Sequence, residues 1–302
     1  DMTMWMWSVD LRGADAEVGR SENSPSCGQC MQVFTGHNQS VTCGGFTPDG
    51  KTIVSSSLDG TVKVWNPKTG ECKHTFSFQD LQSQWAVEEQ TPPSPDEVGI
   101  TCLDFSPDSS MVLCGGIDCA AHLININNNR VLWKLGRKGN SAAGVGQVMP
   151  GAAAAETTSF HEDSVETVAF HPAGQPLVAT GSLDGKLIIW DANTSTPRLS
   201  CAHPRGVIRV QWVKSGPTHA GGAAVAAGAS VGGGQEAFQH LHDLCLYTCC
   251  LDGRVRLWDA RSGQCLREFQ GFTKSLLDMD LAPGGRSIVA GSDDGTARVF
   301  SH

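Results

Sequence analysis

Residues 164–191 read SVETVAFHPAGQPLVATGSLDGKLIIWD, and the chain contains four further variants of that sentence. They begin at Ser40 (SVTCGGFTPDGKTIVSSSLDGTVKVWN), Gly99 (GITCLDFSPDSSMVLCGGIDCAAHLININ), Gly206 (GVIRVQWVKSG, an insertion, then LCLYTCCLDGRVRLWDA) and Ser275 (SLLDMDLAPGGRSIVAGSDDGTARVFS). In each copy an apolar run ends at a large side chain: Phe46, Phe105, Phe170, Trp212 or Leu281. A turn follows, in which Pro and Gly supply the backbone angles. A second run of small and β-branched residues leads to Asp-Gly at 59–60, 184–185, 252–253 and 294–295, and Asp-Gly between alternating apolar runs is a hairpin signal. The third run ends six residues after that Asp, at Trp65, Trp190, Trp258 or Phe300, and Asp1 and Trp7 share the spacing. The second copy departs, with Asp118 followed by Ile124. Alternation of period two (TVKVW, KLIIW, RVRLW) makes these strands rather than helices. The repeat predicts an all-β fold whose function lies on a surface and not in a catalytic pocket.

These residues resemble the WD-repeat family. Trp258 and Phe300 lie 42 positions apart, within that family's repeat length of about 40–45. The other intervals are longer, and each contains an insertion. The resemblance implies a WD40 β-propeller, forming a single domain over 1–302. The expected divisions are a partial blade at 1–35 and blades at about 36–78, 99–136, 161–202, 203–270 and 271–302. Inserted loops are expected at 79–99, 136–160 and 215–240. The resemblance also implies a structural tetrad in each blade. His37, Ser55, Asp59 and Trp65 fit it, as do His161, Thr180, Asp184 and Trp190, and His203, Thr248, Asp252 and Trp258. A hydroxyl, a His and an Asp could instead be read as a hydrolase triad. Three copies favour groups that satisfy one another's hydrogen bonds, because an enzyme needs one activated nucleophile rather than one per blade. No catalytic residue, cofactor or metal is expected. Two copies are degenerate, with Cys114 and Ile124 in the second and Phe272, Ala290 and Phe300 in the last. Those blades are expected to rely more on packing.

A propeller blade has four strands and the ring must close. Residues 2–9 read as a third strand and 29–34 as the outer strand of the same blade. The last copy ends on its third strand, at Phe300. The expectation is a piece of a seven- or eight-bladed protein lacking about two blades and the clasp, with a strained six-unit ring as the alternative.

The formal charge of −9 and pI near 5.5 argue against nucleic acid, whose partners carry basic patches. They permit a basic protein partner. No apolar run approaches the ~18–20 residues of a membrane span. Of 12 Cys, most fall on expected strands (Cys43, Cys102, Cys114, Cys245, Cys249, Cys265), as small buried apolar residues. Their scatter suggests a reducing compartment, and the cytoplasm or nucleus is the expected location. Cys27-x-x-Cys30 lacks the second pair that a structural zinc needs. His240 and His242, near Cys245, also fall short of a ligand set.

Of the three insertions, residues 79–99 (QDLQSQWAVEEQTPPSPDEVG) are the most distinctive. Asp80, Glu88, Glu89, Asp96 and Glu97 stand there with no Lys or Arg, around Trp85. Carboxylates that steer a cation, with one aromatic anchor, suit a basic peptide. A solvated loop whose Trp folds back is the plainer reading. The Gly/Ala-rich stretches 136–160 and 215–240 read as tolerated insertions.

The run LYTCCLDGRVRLWDARSGQCLREFQGFTKSLLDMDLA, the run DGKLIIWDANTSTPRLSCAHPRGVIRVQW and the opening TMWMW resemble the angio-associated migratory cell protein family. That resemblance implies a binding role without catalysis. The family includes a fungal chaperone of a basic large-subunit ribosomal protein, and animal members linked to cell migration and signalling. A second resemblance, of Trp258-Asp259-Ala260-Arg261 to the WD-x-R box, implies docking on the adaptor of a cullin-4 ubiquitin ligase. Arg261 would make that contact, with Asp252 and Asp259 holding the turn.

Overall fold

A computed structural model describes residues 1–8, 28–78, 98–136, 160–213, 244–282, 285 and 287–301. Every element within them is a strand. β1 (Thr3–Ser8) and β2 (Gln29–Thr35) form a two-stranded sheet. Four sheets of four strands follow, here called blades. The first holds β3 (Val41–Phe46), β4 (Ile53–Ser57), β5 (Thr61–Trp65) and β6 (Cys72–Ser77). The second holds β7 (Ile100–Phe105), β8 (Met111–Gly116), β9 (Ala121–Asn125) and β10 (Arg130–Leu135). The third holds β11 (Val165–Phe170), β12 (Leu177–Ser182), β13 (Lys186–Asp191) and β14 (Thr196–Ala202). The fourth holds β15 (Val207–Trp212), β16 (Cys245–Cys250), β17 (Arg254–Asp259) and β18 (Cys265–Phe269). A three-stranded fifth sheet holds β19 (Leu276–Leu281), β20 (Ser287–Ser292) and β21 (Ala297–Ser301). Each sheet is an antiparallel meander in chain order, the WD40 propeller arrangement.

The Asp-Gly corners adopt the geometry their residues permit. Gly60, Gly185, Gly253 and Gly295 have φ between 73° and 81°, a region closed to most side chains. In the second blade Cys119 takes the place of that glycine, at φ 60°. A non-glycine residue there is strained by roughly 1–2 kcal/mol.

A β-bulge recurs at one place in every first strand. Pairing with the second strand slips after Val41, Ile100, Val165, Val207 and Leu276. The extra residue sharpens the local twist. In two blades it is a threonine that links neighbours: Thr42 Oγ1 donates to Ile100 O at 2.8 Å, and Thr101 Oγ1 donates to Val165 O. The first strands are tied again by Phe170 N to Asp104 Oδ2 (2.7 Å), Val210 N to Thr167 Oγ1 (3.0 Å) and Trp212 Nε1 to Ala169 O (3.2 Å).

The core is a series of layers between successive sheets rather than one centre. Trp190 is fully buried against Leu113, Leu123 and Leu135 of the preceding blade. Trp258 packs likewise on Ala169, Leu177 and Ile189, and Trp65 on Phe34 of β2. Each aromatic therefore seals the layer behind its own blade.

Cys114, Cys245 and Cys249 are buried in these layers. Burial pushes the Cys245 thiol up to about 11 and Cys114 well above its ordinary value. Cys43 and Cys102 are half-buried, and Cys265 departs from the expected burial. It opens the outer strand β18 and is exposed, because an outermost strand has no further strand to cover it. Among the described residues no group of His, Cys, Asp or Glu could hold a metal ion. Cys27, His240 and His242 lie outside them.

Candidate functional site

The residues nominated for blade locking run along each sheet, from the corner before its first strand to the end of its third. In the first blade His37 precedes β3, Asp59 sits in the β4–β5 turn, Ser55 is mid-β4 and Trp65 ends β5. Indole N–H can only donate, and Trp65 Nε1 donates to Ser55 Oγ at 2.8 Å. A carboxylate can only accept, so the His37 Nδ1–H donates to Asp59 Oδ2 at 3.1 Å. The remaining link follows: the Ser55 hydroxyl donates to His37 Nε2 at 2.7 Å. The third blade repeats the relay. Trp190 Nε1 donates to Thr180 Oγ1 at 2.8 Å, Thr180 Oγ1 to His161 Nε2 at 2.6 Å, and His161 Nδ1 to Asp184 Oδ2 at 3.4 Å. Each Asp also accepts the next backbone amide, Asn38 N at 2.7 Å and Glu162 N at 2.9 Å. Burial pushes the Asp59 and Asp184 carboxyls up, but hydrogen bonds, led by the Thr61 hydroxyl at Asp59 and by His161 at Asp184, hold both below the usual carboxylate range. Ser55 and Thr180 are almost wholly buried. An acyl group has no route to their hydroxyls, so the relay holds the blade and activates no nucleophile.

In the fourth blade only part of the set comes together. Trp258 Nε1 donates to Thr248 Oγ1 at 2.9 Å, and Thr248 lies 2.8 Å from His203 Nε2. Asp252 is taken instead by Arg256, whose Nη2 donates to its Oδ2 at 2.5 Å, while Nε donates to Glu268 at 2.9 Å. His203 Nδ1 and Arg256 Nη1 are left buried without a protein partner among the described residues. Burial, with Arg256 nearby, lowers His203 to about 4.

The second blade adds a lock of its own. It lacks the tetrad hydroxyl and Trp, yet it does not rest on packing alone. Asp118 pairs with His122 Nε2 at 3.2 Å and with Lys134 Nζ at 2.9 Å. Burial alone would raise the Asp118 carboxyl, but those two partners hold it far below its ordinary value. Position 122 stands four residues after the turn Asp, where the fourth blade has Arg256. A polar residue at that offset is the signal that sequence reading passed over. In the fifth blade Asp294 accepts from Thr273 N at 3.0 Å and Thr296 N at 3.0 Å, and Phe300 packs on Phe269 and Phe272.

Among the residues nominated for partner binding, Asp80, Trp85, Glu88, Glu89, Asp96 and Glu97 lie outside the described residues. Arg261 is exposed in the turn after β17. Asp259 holds that turn, accepting from Arg261 N at 3.0 Å and Ser262 Oγ at 2.7 Å. Asp252 does not share in it, since it precedes β17 and Asp259 ends it.

The structure adds a feature that no single copy displays. The five first strands carry Asp104, Glu166, Asp278 and Asp280 against one cation, Arg209. Arg209 Nε lies 3.4 Å from Asp278, and Gln211 Nε2 donates to Asp280 at 3.0 Å across the same boundary. Asp278 and Asp280 remain exposed. The wall formed by the first strands is thus acidic on balance.

The family described as "WD domain, G-beta repeat" matches residues 28–66, 90–125, 155–191, 237–259 and 263–301, more than half of the chain. The chain is 31% identical to the human angio-associated migratory cell protein over 99% of its own length and 54% of that protein's. It is 28% identical to an uncharacterized WD repeat-containing protein of Schizosaccharomyces pombe, over 90% of this chain and 55% of that one. The chain spans about half the length of the curated relatives it matches. The fold is shared with Chaetomium thermophilum Sqt1, solved bound to the N-terminus of the ribosomal protein L10. The TM-score is 0.67 at 21% identity, over 99% of this chain and 65% of that one. With five matched repeats folded as successive antiparallel sheets, this chain belongs to the WD domain, G-beta repeat family, whose members serve as protein-interaction scaffolds.

Proposed function

We propose that this scaffold holds a basic segment of a client protein, a large-subunit ribosomal protein being the leading candidate. The observation that carries the reading is the wall of first strands, with four carboxylates and one guanidinium. The chain's overall charge of −9 has the same sign. An acidic surface of this kind raises the local concentration of a cationic segment and speeds its capture. It also masks that segment from nucleic acid until assembly. The likeness to Sqt1, a protein seen holding the N-terminus of L10, supports the choice of client class. Asp80, Glu88, Glu89, Asp96 and Glu97 add five carboxylates to the chain's charge. The expected setting is the cytoplasm or nucleus.

The test is fluorescence anisotropy of a labelled N-terminal segment of L10 with the chain. Affinity should fall steeply between 0.1 M and 1 M salt, as the Debye length shrinks from about 10 Å to 3 Å. In affinity purification with the chain as bait, retention of cullin-4 adaptor subunits in preference to ribosomal proteins would favour the ligase reading. Salt-independent binding, or none, would refute the electrostatic one.

A further inference from the structure

The residue before the corner Asp is apolar in four blades: Leu58, Ile117, Leu183 and Leu251 precede Asp59, Asp118, Asp184 and Asp252. Each amide donates to the carbonyl of the residue before its own first strand: Leu58 to Ser40 at 3.0 Å, Ile117 to Gly99 at 2.9 Å, Leu183 to Ser164 at 3.0 Å and Leu251 to Gly206 at 2.9 Å. In the fifth blade Asp293 makes the same bond to Ser275 at 2.9 Å, with its side chain 63% exposed. The corner therefore accepts a polar side chain, and the fold does not dictate leucine there. At two blade boundaries these apolar side chains meet over a glycine. A Cβ on Gly206 would stand 3.0 Å from Leu183 Cδ2 and 3.2 Å from Leu251 Cδ1, and one on Gly99 would stand 3.2 Å from both Leu58 Cδ2 and Ile117 Cδ1. Leu58 and Leu183 are nevertheless 38% exposed. Leu183 lies between two complete blades, so its exposure does not come from an end of the array. Each pair is a small apolar step at the level where the first strands begin. Asp163 and Glu166 flank Ser164 on one side of the Leu183–Leu251 step, and Arg205 precedes Gly206 on the other. The neighbouring Glu162 and Lys274 are matched by Lys186 and Asp293. The step is thus apolar with a rim that is acidic on balance, and Glu166 joins it to the wall.

We propose that the Leu183–Leu251 step receives an aliphatic or aromatic side chain of the bound basic segment, whose flanking cations meet Asp163 and Glu166. This rests on the reading of a basic client and supplies what an acidic wall lacks. Long-range attraction gathers a cationic segment without setting its register, because one carboxylate attracts a cation much as the next does. An apolar side chain removed from water makes a short-range contact that salt does not screen, and it is satisfied at one place only. The Leu58–Ile117 step has the same build and offers a second footing. The segment this surface fits therefore alternates cations with apolar side chains, and an unbroken basic run fits it less well.

The test uses the whole chain, with its leucine methyl groups isotope-labelled for NMR, and two probes, acetyl-Lys-Arg-Leu-Arg-Lys-amide and its Ala counterpart. The Leu peptide should bind about fivefold or more tighter than the Ala peptide and give saturable shifts at the Leu183 and Leu251 methyls. Both peptides should weaken between 0.1 M and 1 M salt while the ratio between them persists. Leu183→Gln or Leu251→Gln should bring the ratio close to one and leave the Ala peptide's affinity unchanged. Asp293 shows that the corner takes a polar side chain, and an otherwise unchanged amide spectrum shows that the fold is kept. Equal affinities for the two peptides, or a ratio indifferent to both substitutions, would overturn the proposal and leave electrostatic capture standing. A preference for Leu that depends on Leu183 with no dependence on salt would uphold the step and refute the electrostatic reading. No binding of either peptide at 0.1 M salt would overturn both.

Discussion

The third and second blades have the same strands and different locks. In the third, a chain of hydrogen bonds runs from Trp190 through Thr180 and His161 to Asp184, entirely within the sheet and its preceding loop. In the second, Cys114 and Ile124 replace the hydroxyl and the indole, and Asp118 is gripped by His122 and Lys134. The contrast shows that the corner Asp is the constant of the blade and its partner is negotiable. A buried carboxylate must be paired with something, and either a relay of dipoles or an imidazole with an ammonium will do. The fourth blade is a hybrid that keeps His203, Thr248 and Trp258 but lets Arg256 take the Asp. That choice orphans His203 Nδ1 and Arg256 Nη1, each costing about 1–3 kcal/mol unless water reaches it.

The largest effect expected from breaking this comparison is at Trp190. Trp190→Ala should cost about 3–5 kcal/mol in denaturant melts, because it removes a fully buried indole and the donor to Thr180. Phe300→Ala should cost less, since Phe300 is only half-buried and anchors no relay. Equal losses would mean that the relay adds nothing to packing.

Next comes Asp118→Asn. It strands the Lys134 ammonium and removes the His122 acceptor, and should cost about 2–3 kcal/mol, below the full range for a buried pair because Lys134 reaches solvent. If blade two rested on packing alone, this change would be almost silent.

The third effect concerns pH in the fourth blade. His203 is lowered to about 4 by burial, against about 6.5 when unfolded. The unfolded chain therefore binds the extra proton first. Stability is full above pH 6.5 and is lost as pH falls from 6.5 towards 4, by up to roughly 3 kcal/mol. His203→Gln should flatten that slope relative to the parent, and an unchanged slope would show that His203 does not carry it.

The smallest effect is a gain. Cys119→Gly should relieve the positive φ at the second blade's corner and stabilise by up to about 1 kcal/mol. A loss in thermal melts would mean that Cys119 makes contacts worth more than the strain.

What was legible in sequence follows from what repeats. The all-β repeat, the strand ends at Phe46, Phe105, Phe170 and Trp212, and the grouping of His37 with Ser55, Asp59 and Trp65 stand out because one physical problem is solved several times with the same letters. The bulge after the first residue of each inner strand has no such signature, because Thr42, Thr101, Glu166, Ile208 and Leu277 share only a position. The lock at Asp118 was hidden for a related reason. His122 lies four residues on and Lys134 on another strand, and only the β9–β10 pairing, which sets His122 opposite Lys134, unites them. The acidic wall is assembled from strands up to 176 residues apart, Asp104 to Asp280. Single carboxylates in apolar strands read as noise until the strands stand side by side.

The central claim is that repeated residues hold the blades and the residues that differ between first strands bind the client. It is tested most directly by pairing two variants in one experiment. The first combines Glu166→Gln, Asp278→Asn and Asp280→Asn, which keeps hydrogen-bond acceptors and removes charge. The second is Thr180→Ala. Thermal melting and anisotropy with the L10 N-terminal segment are read on both, the latter well below the melting temperature. The account predicts that the wall variant loses affinity about tenfold or more with little change in melting, while the lock variant melts earlier and binds as the parent does. Undiminished binding by the wall variant, or affinity lost only in step with stability, would contradict it.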